Sequence, residues 1–454
     1  MMRYKSLSHA SQFNLHPHSS LKLSISGKFL RLLTNASIER CALILTAIIL
    51  LSIVLVSLTL HTATADERGE TEHAFQVWLH GDFKRTAMQQ GISDQTLTEA
   101  FSGIKLNWSI PDLRPSSAPA VTNKWQQSEF RAPARYFDQA SIRTLIRIAR
   151  TKLLKHGETI ASIEARFGVP GGILLAIWGR ESAFGAAKIP HDALRALATQ
   201  AFIGRRREFF AHELLAALAM LQSGDVSRVE LRSSWAGALG QPQFLPSKYL
   251  AYAIDGDGDG TRDIWNSVPD TLASIANFLN ENGWQSGQDW GFESVIPPSL
   301  ACSLEGPDQG RLIGDWIALG VKRVSSRVFP DAEKTRPGFL LMPAGRYGPA
   351  FIAKPNFYVL KSYNESDLYA LFIGHLNDRI RANQPFASAW DNVADFKRTD
   401  IHLLQLYLEN QGYDVGGADG LIGHKTRRSV GDYQSSIGVK QTCFPDLRLI
   451  ESIL

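Results

Sequence analysis

Glu181 is the residue whose position in the sequence most directly indicates chemistry. It lies in Gly179-Arg-Glu-Ser-Ala-Phe-Gly185, at the end of an apolar run that begins at Gly168-Val-Pro170. At helical spacing it shares a face with Ile177 and Trp178. A carboxyl group on an apolar face is partly desolvated, which raises its pKa and suits it to general acid catalysis near neutral pH. A solvent-facing glutamate at a helix end fits the same spacing, so this pattern leaves both interpretations open.

A second segment, residues 233–249, contains residue types suited to sugar binding. It reads Ser-Ser-Trp-Ala-Gly-Ala-Leu-Gly-Gln-Pro-Gln-Phe-Leu-Pro-Ser-Lys-Tyr, and its glycines and prolines predict irregular backbone. Gln243 stands beside Phe244, which places an amide that donates and accepts hydrogen bonds next to an aromatic ring. Sugars have apolar ring faces and polar rims, so this neighbourhood suits them.

Taken in order, these motifs carry a family resemblance. Glu-Ser-x-Phe-Gly, followed by Ala-Gly-Ala-Leu-Gly-x-x-Gln-Phe-x-Pro-Ser, resembles the lytic murein transglycosylases of the B type, lysozyme-like enzymes that cleave the glycan of bacterial peptidoglycan. The resemblance extends from about Phe75 to Phe386 and includes Tyr-Asn-x-Ser-x-x-Tyr at residues 363–369. It implies a lysozyme-like helical catalytic body.

The resemblance also implies a mechanism. Glu181 would protonate the glycosidic oxygen of the MurNAc-GlcNAc β-1,4 bond, then act as a base on the C6 hydroxyl of the same muramic acid, closing a 1,6-anhydro ring. Glycosidases usually need two carboxylates, and the sequence offers no second candidate. The implied substrate-binding residues are Ser234, Gln243, Tyr363, Tyr369 and Tyr136. Each tyrosine equally fits an ordinary core aromatic, and Phe278 stands where the family often has tyrosine.

Two other functions are compatible with parts of the sequence. A hydrolytic muramidase on the same fold would admit water at C1 of the sugar. A non-catalytic cell-wall-binding scaffold would use residues 396–454. The intact Glu-Ser-x-Phe-Gly motif argues against this alternative. The scattered histidines form no H-E-x-x-H and no G-x-S-x-G occurs, which disfavours zinc and serine hydrolases. No cofactor is expected for the chemistry.

An acidic loop predicts a structural calcium ion. Asp255-Gly-Asp-Gly-Asp-Gly260 matches the first six positions of a calcium-binding loop, but position 12 is Asn266 instead of glutamate. In the resembling family the closing carboxylate comes later, which makes Asp270 the candidate. The proposed ligands are Asp255, Asp257, Asp259, Thr261 and Asp270. A solvated Asp/Gly turn without an ion is the alternative.

The N-terminus predicts export. Residues 1–40, a basic leader, contain six Lys or Arg and one Glu, and residues 41–60 form an uncharged apolar run of 20 residues. This length suffices to span a membrane and exceeds a usual signal-peptide core, yet Ala63-Thr-Ala65 supplies a cleavage pattern. We expect a periplasmic body, anchored to the inner membrane if the run is not cleaved. Because the basic excess belongs to the leader, a nucleic-acid partner is not expected.

The expected fold is mainly α, with a small β-rich insertion. Residues 61–72 are predicted as a linker, 73–390 as the catalytic domain and 396–454 as a three-helix peptidoglycan-binding module. Within the catalytic domain, Phe339-Leu-Leu-Met and Asn356-Phe-Tyr-Val-Leu predict strands.

The module rests on a second resemblance. Its Leu-Gln…Gly-Tyr…Asp-Gly-x-x-Gly-x-x-Thr-Arg pattern resembles peptidoglycan-binding domains, with a departure at Cys443-Phe444. A stabilising three-helix appendage is the alternative. The expected partners are peptidoglycan glycan strands, with other cell-wall enzymes as further candidates. Cys302 and Cys443 could pair in an oxidising compartment or remain free thiols.

Overall fold

The computed structural model describes residues 67–111, 113, 133–391 and 396–453. The predicted leader at residues 1–40, the apolar run at 41–60 and the first part of the predicted linker lie outside these residues. The chain divides into two compact units, Met1–Ala74 and Phe75–Leu454, and the second contains every site described below.

Helices make up most of the described chain. α1 (residues 67–78) continues through a π-helical turn, Leu79–Phe83, into α2. The others are α2 Lys84–Gln89, α3 Asp94–Phe101, α4 Pro133–Tyr136, α5 Gln139–Lys155, α6 Gly157–Phe167, α7 Gly171–Ser182, α8 Ala193–Ile203, α9 Arg207–Ser223, α10 Pro246–Tyr252, α11 Val268–Glu281, α12 Ile313–Ala318, α13 Pro355–Asn364, α14 Asp367–Ala382, α15 Arg398–Asn410, α16 His424–Ser436 and α17 Leu447–Ile453. Short 3-10 turns occur at Cys302–Leu304, Pro307–Gln309, Val324–Ser326, Asp331–Glu333 and Gly345–Tyr347.

Two antiparallel sheets accompany the helices. The strands are β1 His191–Asp192, β2 Arg232–Ser233, β3 Gly291–Val295, β4 Arg311–Leu312, β5 Lys322–Arg323, β6 Pro337–Leu341 and β7 Ala350–Ala353. β1 pairs with β2, and the other five form one sheet in the order β4-β6-β7-β3-β5. In that sheet Ile352 of β7 lies opposite both Phe292 and Leu340. This sheet is the predicted β-rich insertion.

The core of the catalytic body is built around α7. Its residues from Ile173 to Trp178 are almost fully buried, because α5, α6, α11 and α14 pack against it on several sides. A helix that is apolar on nearly its whole circumference is stable only in such an interior. α7 therefore gives Glu181 a rigid support.

Two segments differ from the sequence-based prediction. Asn356–Leu360 was predicted as a strand and is helical, in α13. Pro355 occupies the first turn, and the buried residues Asn356, Phe357, Val359, Leu360 and Tyr363 recur at helical spacing. Residues 67–72, part of the predicted linker, are also helical, and the Thr71 hydroxyl donates to the Glu67 carbonyl one turn earlier.

The three C-terminal helices form the predicted small module. α15 to α17 bury a core of their own, made of Leu404, Leu408, Val415, Val430 and Leu449. Cys302 and Cys443, left open by the sequence, form a disulfide with their Cα atoms 5.5 Å apart. This bond ties the module to the catalytic body across 141 residues of sequence.

Among the described residues, no single helix is long and apolar enough to cross a membrane. α6 and α7 taken together are long and apolar enough, but their axes are bent by 112° relative to each other.

Candidate active site

Glu181 lies one residue before the end of α7 and is partly exposed. The chain leaves the helix through three successive left-handed residues, Ala183, Phe184 and Gly185. Gly179 makes this turn feasible, because a Cβ atom there would lie only 2.6 Å from the Phe184 ring. The backbone N–H of Gly185 donates to the Ser182 hydroxyl at 3.1 Å. The Ser182 hydroxyl therefore stabilises the turn that ends α7. Its neighbour Glu181 projects from a fixed position.

Two stacked tyrosines lie close to Glu181. The rings of Tyr363 and Tyr369 have centroids 6.1 Å apart and planes 11° from parallel. Burial raises the pKa of both phenols well above 10, and the negative charge of Glu181 raises each further. The structure thus brings two of the predicted site residues beside the predicted acid. Both tyrosines are also buried in the core, so their position is compatible with either interpretation that the sequence left open.

The Tyr363 hydroxyl joins this pair to the second motif. It donates to the Pro242 carbonyl at 2.7 Å, next to Gln243. Gln243 adopts a left-handed backbone conformation (φ 55°) and donates through Nε2 to the Gly240 carbonyl at 2.8 Å. Its partly exposed side chain lies in the same loop as Ser234, whose hydroxyl accepts the Ala238 N–H at 3.2 Å. Both predicted residues therefore help to shape the loop.

Tyr136 packs on the residue that precedes Glu181. Its hydroxyl accepts a hydrogen bond from the Arg180 guanidinium at 2.9 Å, and the guanidinium carbon lies 4.7 Å from the ring centroid. Phe372 of α14 contacts the same guanidinium group, with its centroid at 5.2 Å. Tyr136 thus fastens the C-terminal end of α7 to its surroundings.

The acidic loop connects α10 to α11. Asp255, Asp257 and Asp259 each bring a carboxylate oxygen within 4.8 Å of the others, an oxygen-rich set that fits a hard cation such as calcium. The Thr261 hydroxyl donates to Asp259 at 2.7 Å.

Asp270 lies outside this acidic group, although its charge is close enough to interact with Asp257. Its two oxygens accept the backbone N–H groups of Gly256 and Asp263, at 2.8 and 2.7 Å. These contacts close the loop from the α11 side whether or not an ion is bound.

Comparison with known proteins places this geometry in a family. The family described as "Transglycosylase SLT domain" matches residues 74–378. The chain belongs to this family. It is a lytic transglycosylase, and the predicted enzyme class and lysozyme-like helical body are confirmed. A second family, of peptidoglycan-binding domains, matches residues 397–451.

Several relatives support the assignment. Membrane-bound lytic murein transglycosylase B of Escherichia coli is 27% identical over 297 residues, which cover 64% of this chain and 79% of that protein. SltB3 of Pseudomonas aeruginosa, solved with NAG-NAM-pentapeptide, is 34% identical with a TM-score of 0.75, over 84% of this chain and 99% of that one. The same protein solved with NAG-anhNAM-pentapeptide gives a TM-score of 0.73. Soluble lytic transglycosylase SltB1 of the same organism is 26% identical, with a TM-score of 0.53, over 68% of this chain and 98% of that one.

Two residues of this transglycosylase were missed by the sequence reasoning. Gln241 is buried, and its side chain accepts from the Trp178 indole at 2.7 Å and donates to the Trp265 carbonyl at 2.9 Å. It therefore couples α7 to the Gln243 loop. Lys248 places its ammonium group against Tyr363. In the sequence, only their position close to Gln243 indicated Gln241 and Lys248. The contacts that define their roles are with residues from distant segments.

Proposed function

We propose that Glu181 cleaves the MurNAc-GlcNAc β-1,4 bond of peptidoglycan, acting first as an acid and then as a base. The observation that carries this assignment is a partly exposed carboxyl group at a rigid helix end, with two buried phenols beside it. The relatives solved with NAG-NAM and NAG-anhNAM peptides support the substrate class.

In the first step neutral Glu181 donates its proton to the glycosidic oxygen while the C1–O bond breaks. The bonding electrons leave with the GlcNAc hydroxyl group, and positive charge develops at C1 of the muramic acid. The N-acetyl oxygen of that sugar shares this charge. Glu181 becomes a carboxylate, which the Tyr369 hydroxyl can stabilise by donating a hydrogen bond.

In the second step the carboxylate of Glu181 removes the proton from the C6 hydroxyl of the same sugar. The C6 oxygen forms the bond to C1, which closes the 1,6-anhydro ring and restores neutral Glu181. An attacking group on the same sugar has a large effective molarity, roughly 10⁵ M or more when well oriented, which favours it over water. One carboxyl group therefore suffices where a hydrolase needs two.

The decisive experiment combines a variant with an isotope. Glu181→Gln keeps the side-chain shape but cannot transfer a proton, so cleavage of purified murein should fall by at least about 10²–10⁴-fold with an unchanged melting temperature. Wild-type digestion in ¹⁸O-labelled water should give unlabelled products that end in 1,6-anhydro-muramic acid. Labelled reducing ends would show a hydrolytic muramidase, and an active Glu181→Gln variant would overturn the assignment of the acid.

We further propose that the C-terminal module binds peptidoglycan beside the catalytic body and that the protein acts in the cell envelope. A cleft of about 670 Å³ lies at the boundary between the module and the body, and residues from both line it, among them Lys361, Asp367, Gly420 and Lys425. Anchoring of the body by residues 41–60 is part of this proposal. The proposal predicts that the full-length protein fractionates with membranes in cells, whereas a chain lacking residues 1–60 is soluble.

We also propose that the loop of Asp255, Asp257 and Asp259 holds a calcium-type ion. The three carboxylates satisfy the preference of calcium for oxygen ligands. The ion would stabilise the turn between α10 and α11 and take no part in proton transfer, since Glu181 carries both proton-transfer steps.

A further inference from the structure

Lys248 is held in a fixed position near Glu181 by the first turn of α10. The helix begins at Pro246, and the next residue, Ser247, donates to the buried Glu213 carboxylate through its backbone N–H at 2.9 Å and its hydroxyl at 2.7 Å. These two bonds fasten α10 to α9. The backbone from which Lys248 projects is therefore rigid.

The ammonium group of Lys248 lies over aromatic surfaces. It donates to the Tyr363 carbonyl at 3.2 Å, and its nitrogen lies 4.8 Å from the Phe278 ring centroid and 5.6 Å from that of Tyr363. Both distances are within the range of cation–π attraction. Lys248 thus touches the same tyrosine that stacks on Tyr369 beside Glu181.

Three carboxylates are close enough for their charges to act on this ammonium group. Burial lowers the pKa of Lys248, and the charges of Glu181, Glu365 and Glu213 oppose that shift, with Glu181 the strongest of the three. Glu213 already accepts two hydrogen bonds from Ser247, and Glu365 is exposed to solvent, where water screens its charge. Glu181 is therefore the carboxylate that Lys248 most strongly affects.

We infer that Lys248 is a positioning residue for the reaction, which holds Tyr363 in place and favours the carboxylate form of Glu181 after the first proton transfer. This inference rests on the proposed function of Glu181. The physical reason is that the first step creates a negative charge in a partly dehydrated site, where a fixed cation is screened less than at the surface.

The pH dependence of kcat/KM on a soluble glycan tests this role. Because Glu181 must be protonated to begin the reaction, its pKa sets the alkaline limb of the profile. Lys248→Met removes the cation, so the neutral acid persists to higher pH and the limb should move upward by roughly 0.5–1 pH unit. Lys248→Arg keeps the charge and should keep the wild-type limb. The neighbouring phenols of Tyr363 and Tyr369 titrate well above this range, since burial raises their pKa values.

Lys152→Met is the matched control. Lys152 also lies over an aromatic ring, 4.8 Å from the Trp178 centroid, and the charge that acts on it is that of Lys155. The same substitution there removes one positive charge and should leave the alkaline limb unchanged. If Lys248→Met shows the wild-type limb, Lys248 has only a packing role and the inference is overturned, even if the rate falls.

A second measurement leaves Lys248 unaltered. In Glu181→Gln the carboxylate that raises the pKa of Lys248 is absent, so more of the amine is neutral at a given pH. Its modification by an amine reagent, followed by mass spectrometry, should become about threefold faster for a change of half a pKa unit, with Lys152 as the internal reference. Unchanged reactivity in an inactive Glu181→Gln protein would refute the inference alone, whereas an active variant would refute the proposed function.

Discussion

At the scale of single residues, the active site depends on how well its neighbours stabilise the negative charge that forms on Glu181. Glu181 lies at a helix end near the phenols of Tyr363 and Tyr369 and the ammonium group of Lys248. The proposed reaction uses no second carboxylate. Tyr363 and Tyr369 are buried enough to remain neutral at any working pH. Tyr369 can therefore donate a hydrogen bond to the Glu181 carboxylate without competing for its proton, while the Tyr363 hydroxyl donates to the Pro242 carbonyl.

Tyr369→Phe tests this arrangement. The substitution removes the hydroxyl beside Glu181 but keeps the ring that stacks on Tyr363. A hydrogen bond to a charged group contributes about 1.5–3 kcal/mol, so kcat should fall roughly 10- to 100-fold. Tyr249→Phe is the control, since its buried hydroxyl donates to the Arg262 carbonyl instead. Steady-state kinetics with melting temperatures would separate the two, and equal rate losses in both variants would contradict the role of Tyr369.

Asp378 predicts a pH dependence of stability. Burial raises its pKa to about 7, with a further contribution from Asp289; Trp290 donates to its carboxyl group at 3.1 Å. The unfolded chain loses this proton near pH 4, so between about pH 4 and 7 the folded state binds the extra proton. Stability from this group is therefore present at low pH and is lost as the pH rises through that window.

Asp378→Asn should remove that component. Urea unfolding from pH 4 to 8 should show a wild-type free energy of unfolding that falls relative to the variant by about 1.4 kcal/mol or more across the window. Parallel pH profiles for the two proteins would mean that Asp378 titrates normally in the fold.

At the scale of elements, the turn between α10 and α11 is the feature most open to test. Asp255 accepts the backbone N–H groups of Gly258 and Gly260, so the loop has a defined shape of its own. A bound ion would add stability by mass action, because it binds the folded state only.

Asp257→Ala combined with Asp259→Ala should abolish any rise in melting temperature on addition of calcium. The wild-type protein, stripped with a chelator, should regain about 2–4 °C or more when calcium returns at high excess. Magnesium serves as the control, because its octahedral preference suits this loop less well. If calcium leaves the wild-type melting temperature unchanged, the loop is a turn without an ion.

At the scale of the whole molecule, the C-terminal module and the catalytic body share a buried contact. Arg427 of α16 is almost fully buried and donates to Glu305 at 2.7 Å and to Asp367 at 3.2 Å. Burial raises the pKa of Glu305 even though Arg427 opposes it. Together with the disulfide, this contact makes the module part of the folded body instead of a loosely tethered domain.

Two neighbouring arginines allow a matched test of that contact. Arg427→Ala leaves the buried Glu305 carboxylate without its cation, although Asp367 keeps its ion pair with Lys361, and should cost about 3–5 kcal/mol of unfolding free energy. Arg428→Ala breaks the more exposed pair with Asp308 and should cost no more than about 1 kcal/mol. Denaturant unfolding under oxidising conditions measures both. Equal losses would show that the buried contact does not hold the module.

The sequence by itself predicted most of the helical elements and named a candidate acid. Local spacing predicted α7 and placed Glu181 at the end of its apolar face, because an apolar stripe and a helix end are properties of neighbouring residues; the family resemblance then selected Glu181 as the acid. The strand prediction at Asn356–Leu360 was wrong because a short apolar run fits a strand and a helix equally well. Packing of α13 against α14 stabilises the helix. Helices with clear start and stop residues could be predicted from the sequence, whereas the structure of residues 356–360 depends on contacts with α14.

Only the tertiary structure decided which residues meet. The pairing of Cys302 with Cys443, the burial of Arg427 against Glu305, and the approach of Lys248 to Tyr363 each join segments more than 100 residues apart in the chain. Periodicity carries no information about such distances, because it describes one element at a time. The charges around Glu181 are therefore a property of the fold, and the position of Glu181 on its helix is a property of the sequence.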